Sequence, residues 1–270
     1  MIFFAANYDA PFLVKKRVLE AAFMSSILYG CENWLNMSLK PVEMVYLKAI
    51  KALLGVRITT SNSLCIVESG FKPLNGLVKE RQKKFFTKMT TLCADIQDDP
   101  FMHSMKITED LNNSMWRYID NTIRGDNFVE SEVQELKEQI LNAPPTKSKF
   151  QMYKRLNPNL EVHSLYSKNA PVVPDYLRIT FTRFRLCSHR LRVELGRWSR
   201  TPREERICGC GEGIQDEFHI FQCPLTKDIF SSDQITYNSP DAIFQETSVE
   251  ELQMLHRALE RLNAENEERT

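Results

Sequence analysis

Along most of the chain, apolar side chains recur every three or four positions, the spacing of a helix that turns one face to a core. Val42, Val45, Tyr46, Ala49 and Leu53 make one such run, with Ser38 expected as its N-cap and Gly55 as its stop. A short helix is predicted from Ser61 to Glu68, ending at Gly70. Pro73 opens a longer one. Its stripe reads Leu77, Arg81, Phe85, Met89, Leu92 and Ile96, and its polar face carries Lys79, Arg81, Lys83, Lys84 and Lys88. Residues 110–124 and 129–141 read as two further helices.

Pro144-Pro145 and Asn157-Pro158-Asn159 break the periodicity, and the stretch to Pro171 and Pro174 is irregular. The expected organisation is therefore a helical region over 1–142 and an irregular, proline-containing linker over 143–174. An Arg-rich helix with a Cys/His cluster follows over 175–235, then an acidic helix and tail over 236–270. Pro174 suits the first turn of a new helix. Leu177, Phe181, Phe184, Leu191 and Leu195 approximate one stripe along it, although the alternation of Ile179, Phe181 and Arg183 leaves a strand open. Thr247 or Ser248, with Glu250 or Glu251 three residues on, reads as a capping box. Leu252, Leu255, Leu259 and Leu262 then line one face of a last helix, and the tail after Asn263 is polar. The fold class this predicts is mainly α.

Composition narrows the picture. A chain of 270 residues, 43% hydrophobic and 26% charged, is ordinary for a soluble globular protein, which excludes chain-wide disorder and collagen- or mucin-like architectures. Only 9 glycines agrees with helices rather than strands and turns. The 35 basic and 35 acidic side chains cancel, but they do so in blocks. Residues 11–90 carry 13 basic and 5 acidic groups, residues 91–142 carry 4 and 11, and residues 143–175 carry 5 and 2. Residues 176–206 carry 9 Arg, no Lys and 3 Glu; everything after them is net acidic. Basic segments separated by acidic ones are the footprint expected of a nucleic-acid binder, though solvated helix faces give the same pattern. Arginine suits phosphate because its planar fork donates twice.

No basic residue precedes the short apolar run at Met1, unlike a secretory signal, and no stretch approaches the ~20 apolar residues of a membrane span. Of the 7 cysteines, Cys31, Cys65, Cys93 and Cys187 stand singly among apolar neighbours, as reduced thiols do. An intracellular protein, nuclear or cytoplasmic and not membrane-bound, is expected, with the sequons at Asn36 and Asn112 unused.

The most informative stretch holds Cys208, Cys210, His219 and Cys223, spaced C-x-C-x8-H-x3-C. Three thiolates and an imidazole complete the tetrahedral set of a structural Zn2+, although C-x-C is tighter than the usual C-x2-4-C. Gly209, Gly211 and Gly213 fit a knuckle whose amides turn towards sulfur. A helix starting near Gln215 would put His219 and Cys223 on one face. The alternatives fit less well. A catalytic Cys–His pair lacks an orienting partner, a phosphate loop lacks Lys-Ser/Thr, and a catalytic zinc keeps a position open.

At this point the chain resembles the C-terminal region of reverse transcriptases from LINE-type (non-LTR) retrotransposons. One block runs from Asp9-Ala-Pro-Phe12 through Ser26-Ile-Leu-Tyr-Gly-Cys-Glu-Asn-Trp34, Leu54-Gly-Val-Arg57 and Glu68-Ser-Gly70 to the basic helix at 79–88. The other runs from Arg183-Phe-Arg-Leu-Cys-Ser-His189 through Gly196-Arg-Trp198 to Arg206-Ile-Cys-Gly-Cys210, His219 and Cys223-Pro224. The resemblance implies a thumb-like, post-palm region followed by a zinc knuckle. The family's polymerase needs paired aspartates in a hairpin. The only Asp-Asp here, Asp98-Asp99, precedes Pro100 with no apolar strand beside it and reads as a helix end. The chain thus reads as a fragment without the catalytic palm, and no catalytic residue is assigned.

The expected function is non-catalytic binding of RNA or DNA, single-stranded or as a hybrid. Lys79, Arg81, Lys83, Lys84 and Lys88 are expected on one contact face. Arg183, Arg185, Arg190, Arg197, Trp198 and Arg200 are expected on another. The alternatives are a structural module that meets a protein partner through its C-terminal helix, or a decayed transposon product. An enzyme would need partners for the dispersed His103, His163, His189 and His256, and the sequence offers none.

Overall fold

A computed structural model describes residues 10–35, 37–93, 114–167, 172–231, 239–243 and 248–268, with Pro100, His103, Ser104, Lys106 and Tyr237 between them. The expected elements at Asn36, Ile96, Asp98-Asp99, Asn112, Pro171 and Thr247 lie outside the described residues. The protein is mainly helical. Among the described residues the sole β interaction is an isolated antiparallel bridge between Ile207 and Ile214, so residues 179–183 are helix and not strand.

Helix α1 (Phe12–Val18) runs through a π-helical turn, Leu19–Phe23, into α2 (Met24–Ile27). Helix α3 (Lys40–Leu54) has proline in its first turn and stops at Gly55, left-handed at φ 69°. Its N-cap is Leu39 rather than Ser38, because Pro41 already supplies the start. Helix α4 (Asn62–Ser69) ends at Gly70, φ 63°. Then come α5 (Leu74–Cys93), α6 (Ser114–Arg124) and α7 (Phe128–Leu141).

The buried face of α5 is Leu74, Val78, Gln82 and Phe86, one position on from the predicted stripe. The reason is Gln82. Its amide donates to the carbonyls of Cys31 and Trp34 at 3.1 and 3.3 Å, and its carbonyl accepts from the Tyr118 hydroxyl at 2.6 Å. A polar side chain with its partners supplied can be buried, which an apolar periodicity does not register. Helices α5 and α7 meet at Gly76, where an added Cβ would stand 2.9 Å from the Val129 Cα.

Two large cores, with a small cluster of Phe86 and Ile119 beside them, organise the described residues. The first gathers Leu19, Leu28, Tyr46, Ile50, Leu54, Leu64, Phe71 and Ile140. The second gathers Phe181, Phe184, Leu191, Phe221, Phe230, Leu252, Leu255 and Leu262. Between them, where a linker was expected, lies helix α8 (Ser148–Leu156). Its Phe150 and Tyr153 enter the first core while Met152 and Leu156 enter the second. Pro144-Pro145 and Pro158 marked its flanks, but the nine-residue helix between them is ordered by burial on both sides.

Helix α9 (Asp175–Arg185) starts after Pro174. The stripe predicted to run on to Leu195 is cut, because Cys187 takes the left-handed conformation at φ 47° and α10 (Arg192–Trp198) starts afresh. The short helices α11 (His219–Gln222), α12 (Lys227–Phe230) and α13 (Pro240–Ile243) precede α14 (Val249–Glu268). The capping box forms: Ser248 N–H donates to Glu251 Oε2 at 2.8 Å and Glu251 N–H to Ser248 Oγ at 3.2 Å. Helix α14 lies along α9 with Leu252, Leu255, Leu259 and Leu262 buried. That leucine face belongs to the second core.

Charged groups stitch the cores together. Lys15 pairs with Asp175 at 2.6 Å, and Arg178 holds both Asp175 and the Leu53 carbonyl. Arg185 pairs with Glu68. Among the described residues no helix is long and apolar enough to cross a membrane.

Candidate metal centre and nucleic-acid surface

Cys208, Cys210, His219 and Cys223 converge. One ligand atom from each lies within 4.8 Å of all the others, so the cluster could hold a metal ion. The Sγ atoms of Cys208 and Cys223 are 3.6 Å apart, and Cys210 Sγ is 3.2 Å from His219 Nε2. A disulfide needs about 2 Å. Two thiolates on a tetrahedral ion at the usual Zn–S length would stand ~3.7 Å apart. The spacing therefore fits ligands around an ion rather than a crosslink.

The backbone explains how the spacing is reached. The bridge between Ile207 and Ile214 closes a narrow loop, with Cys208 N–H donating to the Gly213 carbonyl at 2.7 Å and Gly211 N–H to the Cys208 carbonyl at 2.9 Å. Gly211 sits at φ 82°, a conformation that L side chains avoid, which is why glycine stands there. Glu212 N–H reaches Cys210 Sγ at 3.4 Å, and Gln215 Nε2 reaches Cys208 Sγ at 3.6 Å. On the other side, Asp216 Oδ1 accepts from the N–H groups of Phe218 and His219 at 3.1 and 3.0 Å and so caps α11. The helix thus begins at His219, not near Gln215, and Cys223 is its C-cap.

Burial raises the Cys223 thiol to about 12, with the neighbouring Cys208 thiol acting in the same direction, and burial lowers the His219 imidazole. Both shifts favour the uncharged forms. A bound metal would draw the thiols into thiolate form and take the imidazole as it is, neutral.

A second polar pair braces the knuckle. His189 Nε2 lies 2.9 Å from Glu217 Oε1, both side chains buried. Burial pushes the Glu217 carboxyl up, but the hydrogen bond and charge of His189 outweigh it and hold it at about 2. Neither residue is a metal ligand. The signal for Glu217 was available, two positions before His219, but no spacing rule points to it.

The residues expected on a nucleic-acid face divide. Arg185 is 2% exposed and bound to Glu68, so it has no surface to offer; this corrects the expectation for it. Arg197 is half-buried between Glu194 at 2.7 Å and Ser148 Oγ at 2.7 Å. Arg183, Arg190 and Arg200 are exposed, and Trp198 is half-exposed. On α5, Lys84 and Lys88 are exposed. Lys83 is engaged with Asp126 and the Gly125 carbonyl, Arg81 donates to the Leu28 carbonyl at 3.4 Å, and Lys79 stands over the Phe128 ring. Two of the histidines without sequence partners are accounted for by packing. His163 accepts from Leu165 N–H, and His256 meets the Thr180 hydroxyl at 3.0 Å.

Arg57, named in the sequence only as part of the Leu54-Gly-Val-Arg57 block, was not expected as a contact residue. It lies in the α3–α4 loop, yet its guanidinium carbon stands 3.4 Å from the centroid of the Trp198 ring. Only the fold brings those residues together. Compared with known proteins, the chain matches no family model, no curated protein and no solved structure.

Proposed function

We propose that the protein is a non-catalytic, intracellular nucleic-acid-binding module, similar to the post-palm region of LINE-type reverse transcriptases, in which Cys208, Cys210, His219 and Cys223 hold a structural Zn2+. The donor set favours zinc, since three sulfurs and one imidazole leave no position open for chemistry. The buried free thiols of Cys31, Cys65 and Cys187 suit a reducing compartment.

The observation that carries the binding role is how the arginine block is spent. Arg178 and Arg185 are buried and Arg192 and Arg206 half-buried, each bound to a carboxylate or a backbone carbonyl. Arg183, Arg190 and Arg200 stay at the surface, and the half-exposed Trp198, two positions before Arg200, carries the Arg57 guanidinium on its ring. Guanidiniums beside an open aromatic face are what single-stranded nucleic acid uses. The opposing reading, a protein partner on the last helix, is not favoured because its leucines are already covered.

The test is fluorescence anisotropy with labelled single-stranded RNA and DNA at rising salt. Three exposed arginines predict a log–log slope of about −2, at ~0.7 per phosphate neutralised. Negligible affinity at low salt, or affinity that ignores salt, would overturn the reading.

A further inference from the structure

The α3–α4 loop leaves the first core and lies on the outer surface of the second. Gly55, where it begins, packs against Ile179 of α9 so closely that an added Cβ would stand 2.8 Å from that side chain. The Gly55 carbonyl accepts from Arg183 Nε at 2.6 Å. Arg57 N–H donates to Ser188 Oγ at 3.0 Å, and the Thr60 hydroxyl donates to the same oxygen at 3.1 Å. The loop is therefore fixed at three points, and the guanidinium it carries is stacked on Trp198 rather than waving in solvent.

Among the described residues, guanidiniums crowd around this stack. Burial lowers the Arg57 guanidinium, Glu194 opposes that, and the Arg183 and Arg190 charges add to the lowering. Arg183 is lowered by burial and then by Arg190. Three guanidiniums thus share one neighbourhood at an energetic cost. The acid that faces Arg57, Glu194, is already bound by Lys149 at 2.5 Å and Arg197 at 2.7 Å. Arg190 meets the exposed Glu267, at 3.3 Å. Arg57 Nη1 is buried and has no hydrogen-bond partner among the described residues. Half of the Trp198 surface and most of Ile58 remain open beside these groups.

We infer that Arg57, Arg183, Arg190 and Trp198 form one binding site for a single-stranded nucleic-acid segment, built jointly by the two cores. A base stacks against the open part of Trp198, whose other contact is Arg57, and the adjoining phosphates neutralise Arg183 and Arg190. An anion here relieves the repulsion among guanidiniums that the fold holds together. A paired base has no free face for Trp198, so the site discriminates single strands from duplex. The inference rests on the nucleic-acid reading above and adds to it the place, the residue Arg57 and the strand preference.

The experiment uses the full chain with a 15-nucleotide oligothymidylate and a 15-base-pair duplex, read by anisotropy, with metal content and thermal melting measured on each variant. Trp198→Leu and Arg57→Gln should each weaken single-strand binding at least tenfold while changing duplex binding less than twofold. Trp198→Phe, which keeps a ring, should recover most of the loss. Arg183→Gln should weaken both ligands and flatten the salt dependence. If Trp198→Leu and Arg57→Gln fold and bind oligothymidylate like the wild type, the site is wrong, although the wider binding role stands. If the wild type binds neither ligand at low salt, the nucleic-acid reading itself fails.

Discussion

Arg185 and Glu68 form a two-point ion pair with both side chains buried: Nε to Oε1 is 2.7 Å and Nη2 to Oε2 is 3.0 Å. The residues come from α9 and α4, so the pair spans the seam between the cores. Tyr153 donates to Glu68 Oε2 at 2.9 Å, Asn157 donates to the Tyr153 hydroxyl at 3.0 Å, and Arg185 reaches the Leu156 carbonyl at 3.4 Å. Burial alone would lower the Arg185 guanidinium, but the Glu68 charge and hydrogen bonds win and raise it, so it stays charged.

Removing one partner strands a charge in the interior, a loss of about 3–5 kcal/mol. Arg185→Met and Glu68→Leu alone should each be destabilised on that scale in urea unfolding. The double variant should recover most of the loss, because the desolvation of both charges disappears together. Intact recovery would show the pair fixes geometry more than it adds stability. Full additivity of the two losses would contradict direct pairing.

Gly76→Ala sets two effects against each other. In a helix interior alanine is favoured over glycine by about 1 kcal/mol. Here the new Cβ meets backbone on α7: Val129 Cα at 2.9 Å, and Phe128 O and Val129 N at 3.0 Å. Backbone cannot rotate away, so overpacking of about 1–3 kcal/mol wins and the melting temperature falls. A rise in melting temperature would mean that α5 and α7 separate freely.

What the sequence revealed follows from which physical signals are local. Helix ends at Gly55 and Gly70, the box at Ser248 and Glu251, and the convergence of Cys208, Cys210, His219 and Cys223 all depend on residues close in the chain. The face of α5 was misplaced because Gln82 is buried with its partners on distant elements. The break at Cys187 was hidden because nothing about a cysteine announces a positive φ. The arginines looked alike in sequence; Glu68, 117 residues from Arg185, decides that one of them turns inward.

His163 makes stability depend on pH. Its ring is buried, accepts Leu165 N–H through Nδ1 at 3.2 Å, and packs on Phe181. Burial first, and then the Arg185 charge, lower it from 6.5 to about 4 against a smaller pull from Glu68. The unfolded chain takes up that proton at the higher pH. Stability from this group is therefore complete above pH 6.5 and is lost as pH falls towards 4. The contribution is at most about 3 kcal/mol. His163→Gln should flatten the stability profile across that window; an unchanged profile would assign the acid sensitivity to other groups.

The last prediction concerns what a bound metal holds in place. Gln215 links the knuckle to the last helix: its amide nitrogen reaches Cys208 Sγ, and its carbonyl accepts from Arg192 N–H at 2.8 Å and from Asn266 Nδ2 at 2.9 Å. Asn266 Oδ1 in turn accepts from Arg192 Nε at 2.7 Å. The knuckle's sulfur, α10 and the end of α14 thus share one side chain. Purified protein should contain about one metal ion per chain, since a closed site supplies folding energy directly. Chelation should then raise hydrogen exchange over 206–223 and in the last turns of α14, while α3 and α4 in the first core stay protected. Gln215→Leu should leave all four ligands in place yet weaken metal affinity about 10–100-fold, the usual effect of losing a ligand-orienting partner. Cys208→Ser should do more, because a ligand itself is gone. Metal-free protein with unchanged exchange over 206–223 would show that packing alone closes this loop.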